Sequence, residues 1–218
     1  MTAHSPILHL VLLNLRTPSA DPGVSSADAT VETILASFGR LAEIDGVLHL
    51  GTARAASDDS THSLAMFAFL RDAAALEGFG THARHIDYLQ SAILPRVSDL
   101  VTADVVVANS PAPSYRAAAC FCAAFRPATY DWQVRSLFES TSQAPGNAII
   151  GGLAANDRQR FRAAGLALWP DGDDWSPSHR GDSLRRLLDD CWGPAIADQA
   201  RVVGPAMPIQ PTASGALL

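Results

Sequence analysis

The sequence predicts an α+β fold built from two ferredoxin-like βαββαβ units, one over residues 1–110 and one over 111–218, packed sheet to sheet. Two observations predict it. Apolar strand-like runs alternate with amphipathic helical stripes in the order β-α-β-β-α-β, and that order occurs twice. A proline-rich connector, NSPAPSYR at 109–116, separates the two occurrences. A physical requirement points the same way. Two helices on one face of a four-stranded sheet leave the other face apolar and in need of cover. A second unit in the same chain supplies that cover at high effective concentration, giving a barrel-like core with helices outside.

In the first unit, Ile7–Leu15 is an almost unbroken apolar run holding one histidine, His9, and reads as a strand covered on both faces. Residues 17–27 are rich in turn formers. From Asp28, which can cap the start, Val31, Ile34, Leu35, Phe38, Leu41 and Ile44 make a helical stripe. Asp45-Gly46 ends it where a left-handed residue is wanted. Val47–Thr52, with His49, and His62–Leu70 are the next strands. Asp72 starts a second helical region, expected to break near Gly78–Gly80, resume through Leu94 and close at Pro95. A strand over about Asp104–Ala108 completes the unit.

In the second unit, Ala117–Phe125, Asn147–Ala154 and Arg162–Trp169 read as strands. Tyr130, Val134, Leu137 and Phe138 form a helical stripe with Thr129 as its cap, and Leu184, Leu187, Leu188 and Cys191 a shorter one. Arg201–Met207 is the last strand, and Gly204, Pro205 and Pro208 place it at an edge. Gly151-Gly152 suggests a bulge, DGDDW at 171–175 a turn, and residues 209–218 a frayed tail. The units match in element order, with slight identity, as a diverged duplication would.

Composition removes several function classes. With 48% hydrophobic and 17% charged residues the chain is globular. A net charge of −6 argues against nucleic acid and against a cationic membrane-binding surface. The opening MTAHSPILHLVLLNL lacks the basic region and cleavage site of a signal peptide, so a cytoplasmic location is expected. Three cysteines without a CxxC suit a reducing compartment; Cys120 and Cys122 share a strand face as buried, inert thiols.

The chemistry-bearing candidates cluster around one helix. His82 and His85, three apart, fall on one helical side that continues through Leu89 and Ile93, so the pair is expected to face inward. Imidazole exchanges protons near neutrality. Removing a proton from a carbon flanked by carbonyls needs such a base, together with donors that stabilise the enolate. His9, His49 or Tyr88 supply donors if they share the pocket, and Phe67, Phe69 and Phe79 are candidates for its apolar lining. His82 and His85 lack a third ligand fixed by the sequence, so no metal is assigned.

These features resemble, over about residues 7–108, the stress-responsive dimeric α+β barrel (Dabb) family. The matching features are the opening strand with His9, the Gly-bounded DGVLHLG, and a third strand ending in Phe. A helix of the form D-x-x-x-L-x-x-aromatic-x-x-H-x-x-H from Asp72 to His85 and an Asp in the final strand, Asp104, complete the match. Residues 117–208 look like a degenerate second copy without HxxH, whose lone histidine, His179, lies in a loop. The resemblance implies an enzyme without cofactor that acts on an apolar, polyketide-like small molecule by aldol or related enolate chemistry. By analogy with a plant polyketide cyclase of the family, His85 is the acid/base, assisted by His9 and His62, with His82, Phe79, Tyr88, His49, Phe67 and Phe69 around the substrate. Phe79 stands where that cyclase carries a tyrosine, and His62 aligns only if the third strand shifts by one residue. The expected partner is a small molecule, with neither nucleic acid nor membrane; the pseudo-dimer lies within one chain, and a further homodimer is left open. The alternatives are a non-catalytic ligand-binding or stress-responsive protein and a haem-binding barrel enzyme with an axial histidine.

Overall fold

The computed structural model describes residues 5–16, 27–56, 60–107, 115–125, 148–153, 161, 163–169 and 196–209. The strands are β1 (Ile7–Leu15), β2 (Val47–Arg54), β3 (Leu64–Leu70), β4 (Val97–Val106), β5 (Ala117–Phe125), β6 (Ala148–Leu153), β7 (Ala163–Trp169) and β8 (Ile196–Ile209). Three helices are described, α1 (Ala27–Phe38), α2 (Ala73–Thr81) and α3 (Ala83–Tyr88), with a 3₁₀ turn at Gly39–Glu43 and a π turn at Leu89–Ile93. The strands form one antiparallel sheet in the order β4-β1-β3-β2-β8-β5-β7-β6. The fold is α+β and ferredoxin-like, with a curled sheet. Among the described residues no helix is long and apolar enough to cross a membrane.

Alternation along the strands builds two cores. In β1 and β3, Leu8, Leu10, Leu12, Phe67 and Phe69 point to one face, where they meet Cys120, Cys122, Leu166 and Val202. Ile7, Leu13, Leu64, Met66 and Leu70 point to the other, where they meet the helical residues Ile34, Phe38, Leu41, Phe79 and Tyr88. The helical stripe of Val31, Ile34, Phe38, Leu41 and Ile44 is buried as its period predicts. Gly46 turns the chain into β2 at φ +85°, a conformation that a side chain would strain. Asp72 caps α2 by accepting from the Ala75 N–H at 2.8 Å. Cys120 and Cys122 are fully buried, and burial pushes both thiols up, away from reactivity.

The two four-strand sets share one register. His9 lies between Ala68 of β3 and Asp104 of β4; Ala119 lies between Ala167 of β7 and Val203 of β8. A shift interrupts the β1–β4 and β5–β8 ladders at the same place, after Asn14 in one and after Ala124 in the other. The sets join where Leu50–Ala53 of β2 pair with Ala206–Ile209 of β8. A clasp adds to that seam: the Arg201 carbonyl accepts from the Thr61 and His62 N–H groups at 2.9 and 3.2 Å, and Thr61 Oγ1 accepts from the Arg201 N–H at 2.8 Å. The free edges approach as well, since a Cβ on Gly152 of β6 would stand 1.9 Å from the Val106 carbonyl oxygen of β4.

Several expectations are corrected. The strand closing the first set runs over Val97–Val106, earlier and longer than Asp104–Ala108, because Leu100 and Thr102 also alternate with buried Val101 and Ala103. β8 is internal and not an edge. Its prolines are tolerated because Pro205 ends the ladder with β5, while Pro208 sits where β8 pairs only with β2. Gly151 and Gly152 pair in unbroken register with Gly165 and Ala164, so no bulge forms there. The second helical region breaks at His82 and not at the glycines, with His82 at φ −66°, ψ 133°. Asp28 falls inside the first turn of α1 rather than before it. The helical stripes proposed for 129–138 and 184–191, His179 and the 171–175 turn lie outside the described residues.

Candidate active site

A cavity of about 200 Å³ opens between the helices and the helix-facing side of β4, β1 and β3. β1 supplies His9 and Val11, β3 Met66 and Ala68, and β4 Leu100 and Thr102, each pair two residues apart and therefore on one face. Phe38 and Leu41 close one side, and Phe79, His85, Tyr88 and Leu89 the other. Leu94, more than half exposed, stands at the rim.

His9 and His85 are the polar heart of this apolar hollow. Their ring centres are 6.3 Å apart, edge to face. His9 Nδ1 lies 2.5 Å from Asp104 Oδ1, its cross-strand neighbour. The carboxylate accepts from Nδ1–H, which leaves Nε2 as the atom that exchanges protons. His85 Nδ1 points to the Gly80 carbonyl at 3.4 Å, a long contact that favours the same tautomer. Burial pushes the His85 imidazole below its ordinary value; the Gly80 contact opposes that, and nearby His9 and His82 add to it. His85 is therefore neutral at neutral pH and able to accept a proton. Tyr88 lines the cavity with its hydroxyl turned to Met66 Sδ at 3.0 Å, and burial pushes it up.

Four of the expected site residues, His62, His82, His49 and Phe69, are not brought here. His62 precedes β3 instead of lying in it. It is buried beside Asp99, with Nε2 within ion-pair reach at 3.3 Å but off the line of a hydrogen bond, and with Nδ1 2.9 Å from Thr61 Oγ1. His82 caps α3, its Nδ1 accepting from the Arg84 N–H at 3.2 Å. The break it makes destroys the continuous face on which His82 and His85 were to lie together. Phe69 belongs to the sheet's opposite face by the alternation of β3, and His49, which pairs with it once the irregularity between Val47 and His49 has reset the register of β2, belongs there too. There His49 Nε2 meets Tyr115 Oη at 2.7 Å. Phe67 borders the cavity from its strand, but its ring packs on that opposite face against Tyr115. Phe79 and Tyr88 line the cavity as expected. Sequence reading gave Asp104 no role beyond matching a motif; its signal was a carboxylate inside an apolar strand, and the pairing with His9 needs the register. Among the described residues no cluster of three or more metal-binding side chains occurs. At about 200 Å³ the cavity is smaller than the roughly 300–1,000 Å³ of pockets for drug-sized ligands, so a porphyrin does not fit it as it stands.

Two predictions arise here. Asp104→Asn presents an amide in place of the carboxylate and loses the charge-assisted bond. The His9 ring is then expected to populate both neutral tautomers, seen as a change in its ¹⁵N shifts; unchanged shifts would refute the assignment. For pH, both His85 and His49 are held low by burial. The unfolded chain takes up these protons near pH 6.5 while the folded one resists, so stability is complete above that value and is lost as pH falls through the lowered folded values. Melts between about pH 7.5 and about pH 5.5 are expected to show a falling Tm, and His85→Gln to remove part of the fall.

No family model matches the chain, and no curated protein matches its sequence. Solved structures share the fold over nearly the whole length. A Fusobacterium nucleatum protein described as a putative monooxygenase aligns over 95% of this chain and 94% of its own, at 15% identity and TM-score 0.57. An anthrone oxidase-like protein aligns over 98% and 97%, at 12% identity and TM-score 0.59. A Dabb family protein with a ferredoxin-like fold from Mesorhizobium loti covers 50% of this chain and 99% of its own, at 20% identity and TM-score 0.39. At these identities the two full-length likenesses establish the fold and nothing further.

Proposed function

We propose that the chain is a cofactor-independent small-molecule enzyme in which His85 and His9 do acid/base work on an enolisable, apolar substrate, a polyketide-type cyclase being the specific reading. One observation carries it: two imidazoles, one oriented by a half-buried carboxylate contact, face a single apolar cavity. His85 Nε2 takes the proton from a carbon flanked by carbonyls. The enolate carbon attacks a second carbonyl, whose C=O π bond opens to an alkoxide as the C–C bond forms. The alkoxide takes the Nε2 proton of His9 in its imidazolium form, whose Nδ1–H stays on Asp104, so that His9 ends neutral and His85 charged. Solvent exchange returns the proton from one imidazole to the other. Since a cavity of about 150 Å³ already accepts benzene, this one suits a single substituted ring.

In this reading the chain is a tandem pair of Dabb-like units, 1–110 and 111–218, forming a barrel within one molecule. The shared register supports it. Ala119 and Val203 occupy the positions of His9 and Asp104, so the second unit has given up the acid/base pair and serves as structural partner. The names of the two full-length neighbours, putative monooxygenase and anthrone oxidase-like, are compatible with a small organic substrate. A non-catalytic ligand-binding role draws support from Phe79, which offers no donor.

Deuterium exchange into a neutral aryl 1,3-diketone, followed by NMR, separates the two. The enzyme reading expects exchange above buffer background that saturates with diketone. Binding without accelerated exchange supports the binding protein and overturns the enzyme.

A further inference from the structure

The Phe79 ring stands against both imidazoles. Its centre is 4.4 Å from that of His85 at an interplanar angle of 37°, and 5.6 Å from that of His9 at 59°. It is fully buried, one residue before the Gly80 carbonyl that His85 faces. Two imidazoles joined by an N–H···N bond of about 2.9 Å have ring centres roughly 5 Å apart. His9 and His85, at 6.3 Å, are only slightly beyond that. With both Nδ1–H groups turned to other partners, Nε2–H···Nε2 is the bond they would make on collapsing together once one ring has taken up a proton.

We infer that Phe79 is a positioning residue, a buttress packed on the flank of the pair that holds the two imidazoles short of bonding to each other so that both Nε2 atoms serve the cavity. This rests on the acid/base reading of the site and assigns a further residue to it. The groups facing the pair are Asp104 from β4 against His9, and His82, Tyr88 and the Gly80 carbonyl against His85. Two imidazoles that share a proton titrate as one system in two macroscopic steps, whereas rings coupled by less than about one pK unit each follow essentially a single step.

The test is an NMR titration of the His9 and His85 rings in the full-length protein. Wild type and Phe79→Leu, which keeps the bulk, are expected to give one step for each ring. Phe79→Ala is expected to give two-step curves shared by both, with displaced ¹⁵N shifts. Single-step curves in Phe79→Ala matching wild type overturn the inference. Should that variant fail to fold, Phe79→Val carries the same comparison. The titration needs no turnover, so its failure is distinguishable from failure of the acid/base reading.

Discussion

His85→Gln is expected to slow exchange of the diketone proton by about 10²–10⁴-fold, the usual contribution of a positioned general base, while the protein stays folded. Glutamine keeps the volume and a polar end but cannot take the proton. The substituted position is only half-buried, on the short helix α3, so the loss reads chemistry and not collapse. His62→Gln serves as the contrast: its imidazole lies away from the cavity beside Asp99, and its exchange rate is expected to match wild type. A loss of less than about tenfold in His85→Gln would remove the base from the proposed mechanism.

Gly204→Ala is expected to be the most destabilising single methyl in the described part of the chain. The added Cβ would stand 1.5 Å from the Arg54 carbonyl oxygen and 2.7 Å from its carbon. Both are backbone atoms of β2, so no side chain can rotate away, and β8 must leave the seam where it joins the first strand set. Overpacking of ordinary cores costs about 1–3 kcal/mol, and a backbone clash belongs at or above the upper figure. For a chain of this size about 3 kcal/mol lowers Tm by roughly 6–12 °C. Gly78→Ala is the control. It lies in α2 with nothing within 4 Å of its Cβ, and alanine is expected to stabilise the helix by about 0.4–1 kcal/mol. A Gly204→Ala melt within about 1 °C of wild type would show that the close approach of β8 to β2 is not rigid.

The resemblance drawn from His9, the HxxH helix and Asp104 placed two of its three acid/base candidates, His85 and His9, at one cavity, and misplaced the third. The reason is register. A histidine near the start of β3 can belong to either face, and whether it belongs to the strand at all depends on where pairing begins; here Ser63 donates its N–H to the Leu13 carbonyl and β3 starts at Leu64. His82 failed for a local reason. Its own side chain caps α3, so the helix it was expected to share with His85 begins after it. Spacing of three implies a common face only inside an unbroken helix.

What the sequence determined by itself, among the described residues, is most of the strands, the α1 stripe and the inward faces that follow from them, because the periods of two and 3.6 are local properties of a chain. From them come β1, the α1 stripe, the helical region opened by Asp72 and the presence of His9 and His85. The tertiary structure alone decided which strand neighbours which: that β8 is internal, that Asp104 stands opposite His9, and that His49 turns to Tyr115 on the far side of the sheet. Those pairings join residues dozens of positions apart. Their energies depend on hydrogen bonds and close contacts that exist only once both partners have arrived, so no local pattern can carry them.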